Sequence, residues 1–182
     1  MRFLLDTHVW LWLLVSPSRV SETARSLLLQ ADARRTLSVA SLWEAAIKLG
    51  RGKLRLERSL SHYLGVSLAE LAIDPLAVKP THALAVAELP LHHRDPFDRM
   101  VVAQARIEGL TLVTADPALY AYDVDLLWAG PGQPPRRSDG SGRVGERPRP
   151  KIRGSARSAK PARSPGSPRA GTTATASRSR AR

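Results

Sequence analysis

The sequence of 182 residues contains no cysteine, two Phe, three Tyr and no internal repeat. Without cysteine there is no disulfide framework, no thiol nucleophile and no thiolate-held zinc or iron–sulfur centre. Any metal must be held by oxygen or imidazole. Apolar runs are short as well. Asp6 and His8 interrupt the opening stretch that ends at Val15, and no small-residue cleavage site follows it. Nothing approaches the roughly 18 uninterrupted apolar residues that span a bilayer. The expectation is a soluble, cytoplasmic protein with no membrane partner.

Acidic residues are scarce in only one part of the chain. Residues 1–130 hold 14 Lys+Arg and 14 Asp+Glu, whereas residues 131–182 hold 14 Lys+Arg and only Asp139 and Glu146, so the net charge of +12 belongs to the C-terminal segment. That segment is rich in Arg, Pro, Gly and Ser, and Val144 and Ile152 are its only large apolar side chains. It has too little to bury to offset the entropy of ordering, and it reads as a disordered basic tail. The tail is either an electrostatic arm that holds phosphate backbones without sequence preference or a solvated appendage.

Residues 1–130 alternate short apolar runs with helical patterns, which predicts a parallel sheet covered by helices. Strands are expected at Phe3–Asp6, Thr36–Val39, within Ala72–Val78, at Thr111–Thr114 and at Asp125–Trp128. Helices are expected at Val9–Val15, Ser21–Ala31, Ser41–Leu49, Ser59–Leu71, from Pro80 to Glu88, from Pro96 to Glu108, and briefly at Pro117–Tyr122. Ser41 and Glu44 have capping-box spacing, and Asp95 before Pro96 reads as an N-cap, with Gly109 as the stop.

Four carboxylates, Asp6, Glu44, Asp98 and Asp116, then fall just beyond a strand or in the first turn of the helix that follows. In an open α/β sheet this is the end at which ligands bind. Like charges so gathered raise one another's pKa values, and a divalent cation resolves the conflict. Oxygen ligands without thiolates suit Mg²⁺ or Mn²⁺ and favour metal-assisted phosphodiester hydrolysis.

The segments Phe3-Leu4-Leu5-Asp6-Thr7-His8, Ser38 to Lys48 with Trp43-Glu44 at its centre, His93-Arg94-Asp95-Pro96-Phe97-Asp98-Arg99-Met100 through Ala105, and Leu112-Val113-Thr114-Ala115-Asp116 occur in that order over residues 2 to 128. Together they resemble the PIN-domain ribonucleases, specifically VapC-like toxins of type II toxin–antitoxin pairs. The resemblance implies a three-layer α/β/α sandwich around a parallel sheet and an Mg²⁺- or Mn²⁺-dependent endoribonuclease that leaves a 5′-phosphate and a 3′-hydroxyl. It further implies a homodimer and a cognate antitoxin protein. By the resemblance, Asp6, Asp98 and Asp116 are direct ligands. Glu44 contributes as a ligand or by orienting the metal's water, and Thr114 and Thr7 support the site.

Simpler roles compete with these. Glu44 also suits the capping box and an i,i+4 pair with Lys48, and Asp98 suits a helix dipole; each such role is worth at most about 1 kcal/mol. Jointly the four acids favour the metal site. Asp95 is left to capping. His93, Arg94 and Arg99 are candidate RNA contacts, although Arg99 suits a pair with Asp95 equally well. His8 lines the site or packs beside it. Trp43 and Trp128 are expected in the core, whereas Trp10, Trp12 and Leu13 lie on an apolar helix that is either buried or shared with a second copy. Two other functions stay open: a non-catalytic nucleic-acid-binding protein acting through its tail, and an aspartyl-phosphate phosphatase. The phosphatase is disfavoured because His8 stands where a second Asp belongs.

Overall fold

A computed structural model of the chain describes residues 1–135. Two units separate along the sequence, Met1–Ser141 and Gly142–Arg182. The second, and with it most of the expected basic tail, lies outside the described residues.

The strands are β1 (Arg2–Leu5), β2 (Arg34–Ser38), β3 (Ile73–Leu76), β4 (Thr111–Thr114) and β5 (Leu126–Trp128). They form one sheet in the order β3-β2-β1-β4-β5, with every pairing parallel. The helices are α1 (Thr7–Val15), α2 (Glu22–Leu28), α3 (Val39–Gly50), α4 (Leu60–Ala69), α5 (Pro80–Glu88) and α6 (Pro96–Glu108), with 3₁₀ turns at Pro17–Arg19 and Pro117–Ala121. None of them is long and apolar enough to cross a membrane.

Side-chain alternation on β1 divides the core in two. Phe3 and Leu5 pack on one face with Val9, Trp10, Leu28, Leu37 and Ile73, while Leu4 packs on the other with Val101, Val102, Leu112 and Leu119. Helices cover both faces, as the continuous apolar runs of β1 and β4 require of a buried parallel sheet. The architecture is the expected three-layer α/β/α sandwich.

Two local expectations are corrected. α3 starts at Val39, because the Ser38 hydroxyl accepts the Ala40 N–H and caps the helix directly after β2. The Ser41–Glu44 capping box therefore does not form: Ser41 lies inside the helix with its hydroxyl buried and unbonded, and Glu44 sits in the second turn. At α6 the cap is the one expected. Asp95 Oδ1 accepts the Phe97 N–H at 2.8 Å, and Gly109 closes the helix in the left-handed conformation (φ 62°), which a glycine adopts without steric cost.

Strand order reverses beside β1. The chain steps outward from β1 to β2 and β3, then returns to place β4 on the other side of β1. A crevice opens at the carboxyl ends of strands at such a switch point. Asp6 follows β1 and Asp116 lies just past the end of β4.

Candidate active site at the carboxyl ends of the strands

β1 delivers Asp6 as the N-cap of α1, with its backbone N–H bonded to Val113 O on β4. The carboxylate is buried and both oxygens are held. Thr114 Oγ1 donates to Oδ2 at 2.6 Å, and His8 Nδ1 lies 3.2 Å from Oδ1. Thr114 Oγ1 also accepts the Asp116 N–H at 3.0 Å, so one hydroxyl ties the first acid to the backbone of the last. His8 Nε2 accepts the Ala115 N–H, which places the ring proton on Nδ1, facing Asp6. Burial lowers the His8 pKa, but the bond to Asp6 and the charges of Asp6, Asp98 and Asp116 outweigh it and hold the group above its ordinary value.

α6 carries Asp98 in its first turn and the 3₁₀ turn carries Asp116 at its N-cap. Between them stands His93. Its Nδ1 lies 3.2 Å from Asp98 Oδ2 and its Nε2 3.1 Å from Asp116 Oδ2. One ligand atom from each of the three lies within 4.8 Å of the others, a spacing that suits a metal ion. His93 Nδ1 also accepts the Asp95 N–H, so the ring proton belongs on Nε2, directed at Asp116. Burial raises the Asp98 pKa most, and the neighbouring charges of Asp6, Asp95 and Glu44 add to it. His93 offsets part of this, and the carboxyl is pushed up to about 7.

Glu44 belongs to the same electrostatic field but stands apart from the His93–Asp98–Asp116 group. It is buried, with Oε2 accepting from Thr7 Oγ1 and Oε1 paired to Lys48 Nζ. Lys48, in turn, feels Glu44, Asp95 and Asp98; their charges overcome its desolvation and raise its pKa.

Some side chains stand differently from the sequence reading, and others fill in what it left open. His93 lies between two of the acids and does not merely flank the site. Its one-residue offset from Arg94 in a polar loop gave no periodic signal. The Arg99 side chain does not pair with Asp95: its guanidinium donates to Pro90 O, Val86 O and Leu89 O at 2.8 to 3.0 Å and to the Tyr122 hydroxyl, stapling the end of α5 to α6. Arg94 remains exposed. Trp43 is not in the core. It is 64% exposed, edge-on to Phe97, on an apolar groove of about 450 Å³ between α3 and α6. Trp10 is wholly buried with its N–H on Ser67 Oγ, while Trp12 and Leu13 are half-buried, so α1 spends its apolar surface within the chain. Trp128 is half-buried against Tyr120.

The donor set fits a hard divalent cation: two carboxylates and an imidazole converge, and Asp98, whose pKa is raised first by burial and then by its acidic neighbours, carries a charge that such a cation would stabilise.

Among solved structures, the chain is similar to VapBC2 from Rickettsia felis bound to a DNA fragment from its promoter. Identity is 17% and the TM-score 0.56, over 71% of this chain and 99% of that one. DNA-bound VapBC from Salmonella typhimurium matches at 17% identity and a TM-score of 0.50, over 70% of this chain and 98% of that one. Comparison with curated proteins gives no match. The PIN domain model matches residues 3–125, which include every acid of the site, and the chain belongs to the PIN domain family.

Proposed function

We propose that the chain is a divalent-metal-dependent endoribonuclease, the toxin of a toxin–antitoxin pair. The observation that carries this reading is the meeting of Asp98, Asp116 and His93 beside Asp6 at the point where strand order reverses, in a PIN domain. Asp98 and Asp116 would hold Mg²⁺ or Mn²⁺, with Asp6 behind them. His93 adds an imidazole donor and shifts the preference toward Mn²⁺. Such a cation supplies positive charge against the scissile phosphate and the negative charge that develops on it.

The chain's own side chains do the rest. His8 and Thr114 fix Asp6, leaving it no rotamer freedom. Thr7 and Lys48 fix Glu44 and keep its charge near Asp98. His93 stands between the Asp98 and Asp116 carboxylates and holds them on either side of its ring.

Both structural neighbours named above are VapBC assemblies bound to DNA. By analogy this chain pairs with an antitoxin protein; for the homodimer expected from the sequence, the exposed Trp43–Phe97 groove has more apolar surface to offer than α1. The decisive experiment is RNA cleavage by the purified protein with Mn²⁺, with Mg²⁺ and with excess chelator. Cleavage that needs the metal and is lost in Asp98→Asn and Asp116→Asn supports the reading. Cleavage that persists in chelator or in both variants overturns it.

A further inference from the structure

A second groove, of about 520 Å³, lies between the end of α1 and the start of α2 and is lined by Trp12, Ser18, Arg19, Glu22, Arg25 and Pro131. Unlike the Trp43 groove it carries charge. Arg25 is neutralised by its pair with Glu22. Arg19 is exposed and has no carboxylate partner among the described residues; its guanidinium lies over the Trp12 ring, 4.2 Å from the centroid. Stacking on an aromatic face holds a guanidinium in one plane while leaving its N–H groups free to donate.

This groove is connected to the acids. The other neighbour of the Trp12 ring is His8, edge-on at 5.1 Å, and His8 is the residue that holds Asp6. Asp6, His8, Trp12 and Arg19 thus form an unbroken row that runs from the carboxylates to an unpaired cation. Resting on the ribonuclease reading, we propose that this groove binds the RNA strand beside the cleaved phosphodiester, with Arg19 taking a phosphate oxygen and Trp12 positioning Arg19.

Charge complementarity decides between RNA and an acidic peptide. An acidic peptide has no fixed repeat that sets one anionic group on Arg19 and another on the cation held by the acids. An RNA strand carries a phosphate at every nucleotide, so one phosphate shares the divalent cation with the acids while a neighbouring one meets Arg19. Phosphate contacts set register and affinity without reading sequence, so Arg19 acts on binding and leaves the chemical step alone.

The test uses the full chain throughout, so that the basic residues after Pro131 contribute equally to every variant. A single-stranded oligoribonucleotide is cleaved with Mn²⁺ by the wild type, Arg19→Gln, Arg19→Lys, Trp12→Leu and, as a control for loss of one surface charge, Arg106→Gln on α6. The expected result is a KM about tenfold higher for Arg19→Gln with kcat unchanged, and a salt slope of binding reduced by about one. Arg19→Lys should keep the slope and recover only part of the KM, and Trp12→Leu should raise the KM at an unchanged slope while its loss of contact with His8 is read separately in kcat. Unchanged KM and slope in Arg19→Gln overturn the proposal, as does an equal effect from Arg106→Gln. If the wild type cleaves no RNA, the ribonuclease reading fails on its own. The groove is then judged by binding of the same oligonucleotide in chelator, where equal affinity of wild type and Arg19→Gln overturns it.

Discussion

Thr114 Oγ1 donates to Asp6 Oδ2 at 2.6 Å across 108 residues of sequence and accepts the Asp116 N–H, so a single buried hydroxyl sets the spacing of two acids. Thr114→Val keeps the shape and removes both bonds. It should cost about 1–3 kcal/mol in urea unfolding, because Asp6 loses a donor and the Asp116 N–H its acceptor. Cleavage should fall about 10- to 100-fold, the usual effect of losing a group that orients a metal ligand. Thr114→Ser should restore most of both.

Asp98 gives the site a pH signature. Its pKa is raised from 3.8 to about 7, so the folded chain holds this proton more tightly than the unfolded one. The resulting stabilisation is complete below about pH 3.8 and is lost as pH rises through 7. In chelator at pH 8, Asp98→Asn should melt above the wild type, and the gap should close toward pH 4. Mn²⁺ at pH 8 should raise the Tm of the wild type and not that of the variant, since the cation needs the carboxylate.

Arg99 and Arg94 should separate cleanly. Arg99→Ala removes the guanidinium from the carbonyls of Val86, Leu89 and Pro90, of which Val86 O and Pro90 O keep a backbone N–H donor, and should cost about 1–3 kcal/mol with no change in KM for RNA. Arg99→Lys should not rescue it, because an ammonium cannot fork among those acceptors. Arg94→Ala, at an exposed position, should leave stability within about 0.5 kcal/mol. Thermal melts and Michaelis–Menten kinetics on the same preparations check both.

Lys48 is the counter-charge to a buried acid. Lys48→Met leaves Glu44 with Thr7 alone, and the loss should be about 1 kcal/mol, since the lysine is partly exposed and its pairing is screened. Glu44→Gln in the same background should recover part of that loss, which a double-mutant cycle measures.

A chain ending at Pro135 tests where catalysis resides. Metal-dependent cleavage should survive, while salt-sensitive affinity for RNA falls, because 14 of the 28 Lys+Arg follow residue 130. If the full chain binds RNA in a salt-sensitive way without cleaving it, and that binding vanishes with the tail, the non-catalytic, tail-mediated function is favoured.

Element order was legible in the sequence because its signals are local. Asp95-Pro96 and Gly109 bracket α6 through capping and φ, and the apolar runs of β1 and β4 follow from burial on both faces. The same locality misled at Ser41-x-x-Glu44, where the spacing of a cap was present but Ser38, nearer the end of β2, took the role first. Trp43 was misplaced for a related reason. Its apolar character is local, whereas its exposure depends on whether α6 covers that side of α3, and α6 leaves a groove there.

By itself, then, the sequence determined an oxygen-and-imidazole chemistry, a helix-covered parallel sheet and four acids at strand ends, since each follows from residue type and short-range period. Only the tertiary structure decided which groups meet. The crossover that sets β4 beside β1 brings Thr114 onto Asp6, and the loop before α6 drops His93 between Asp98 and Asp116. Neither contact leaves a trace at any fixed spacing, because the distance between two side chains across a sheet is set by strand order and not by the number of residues between them.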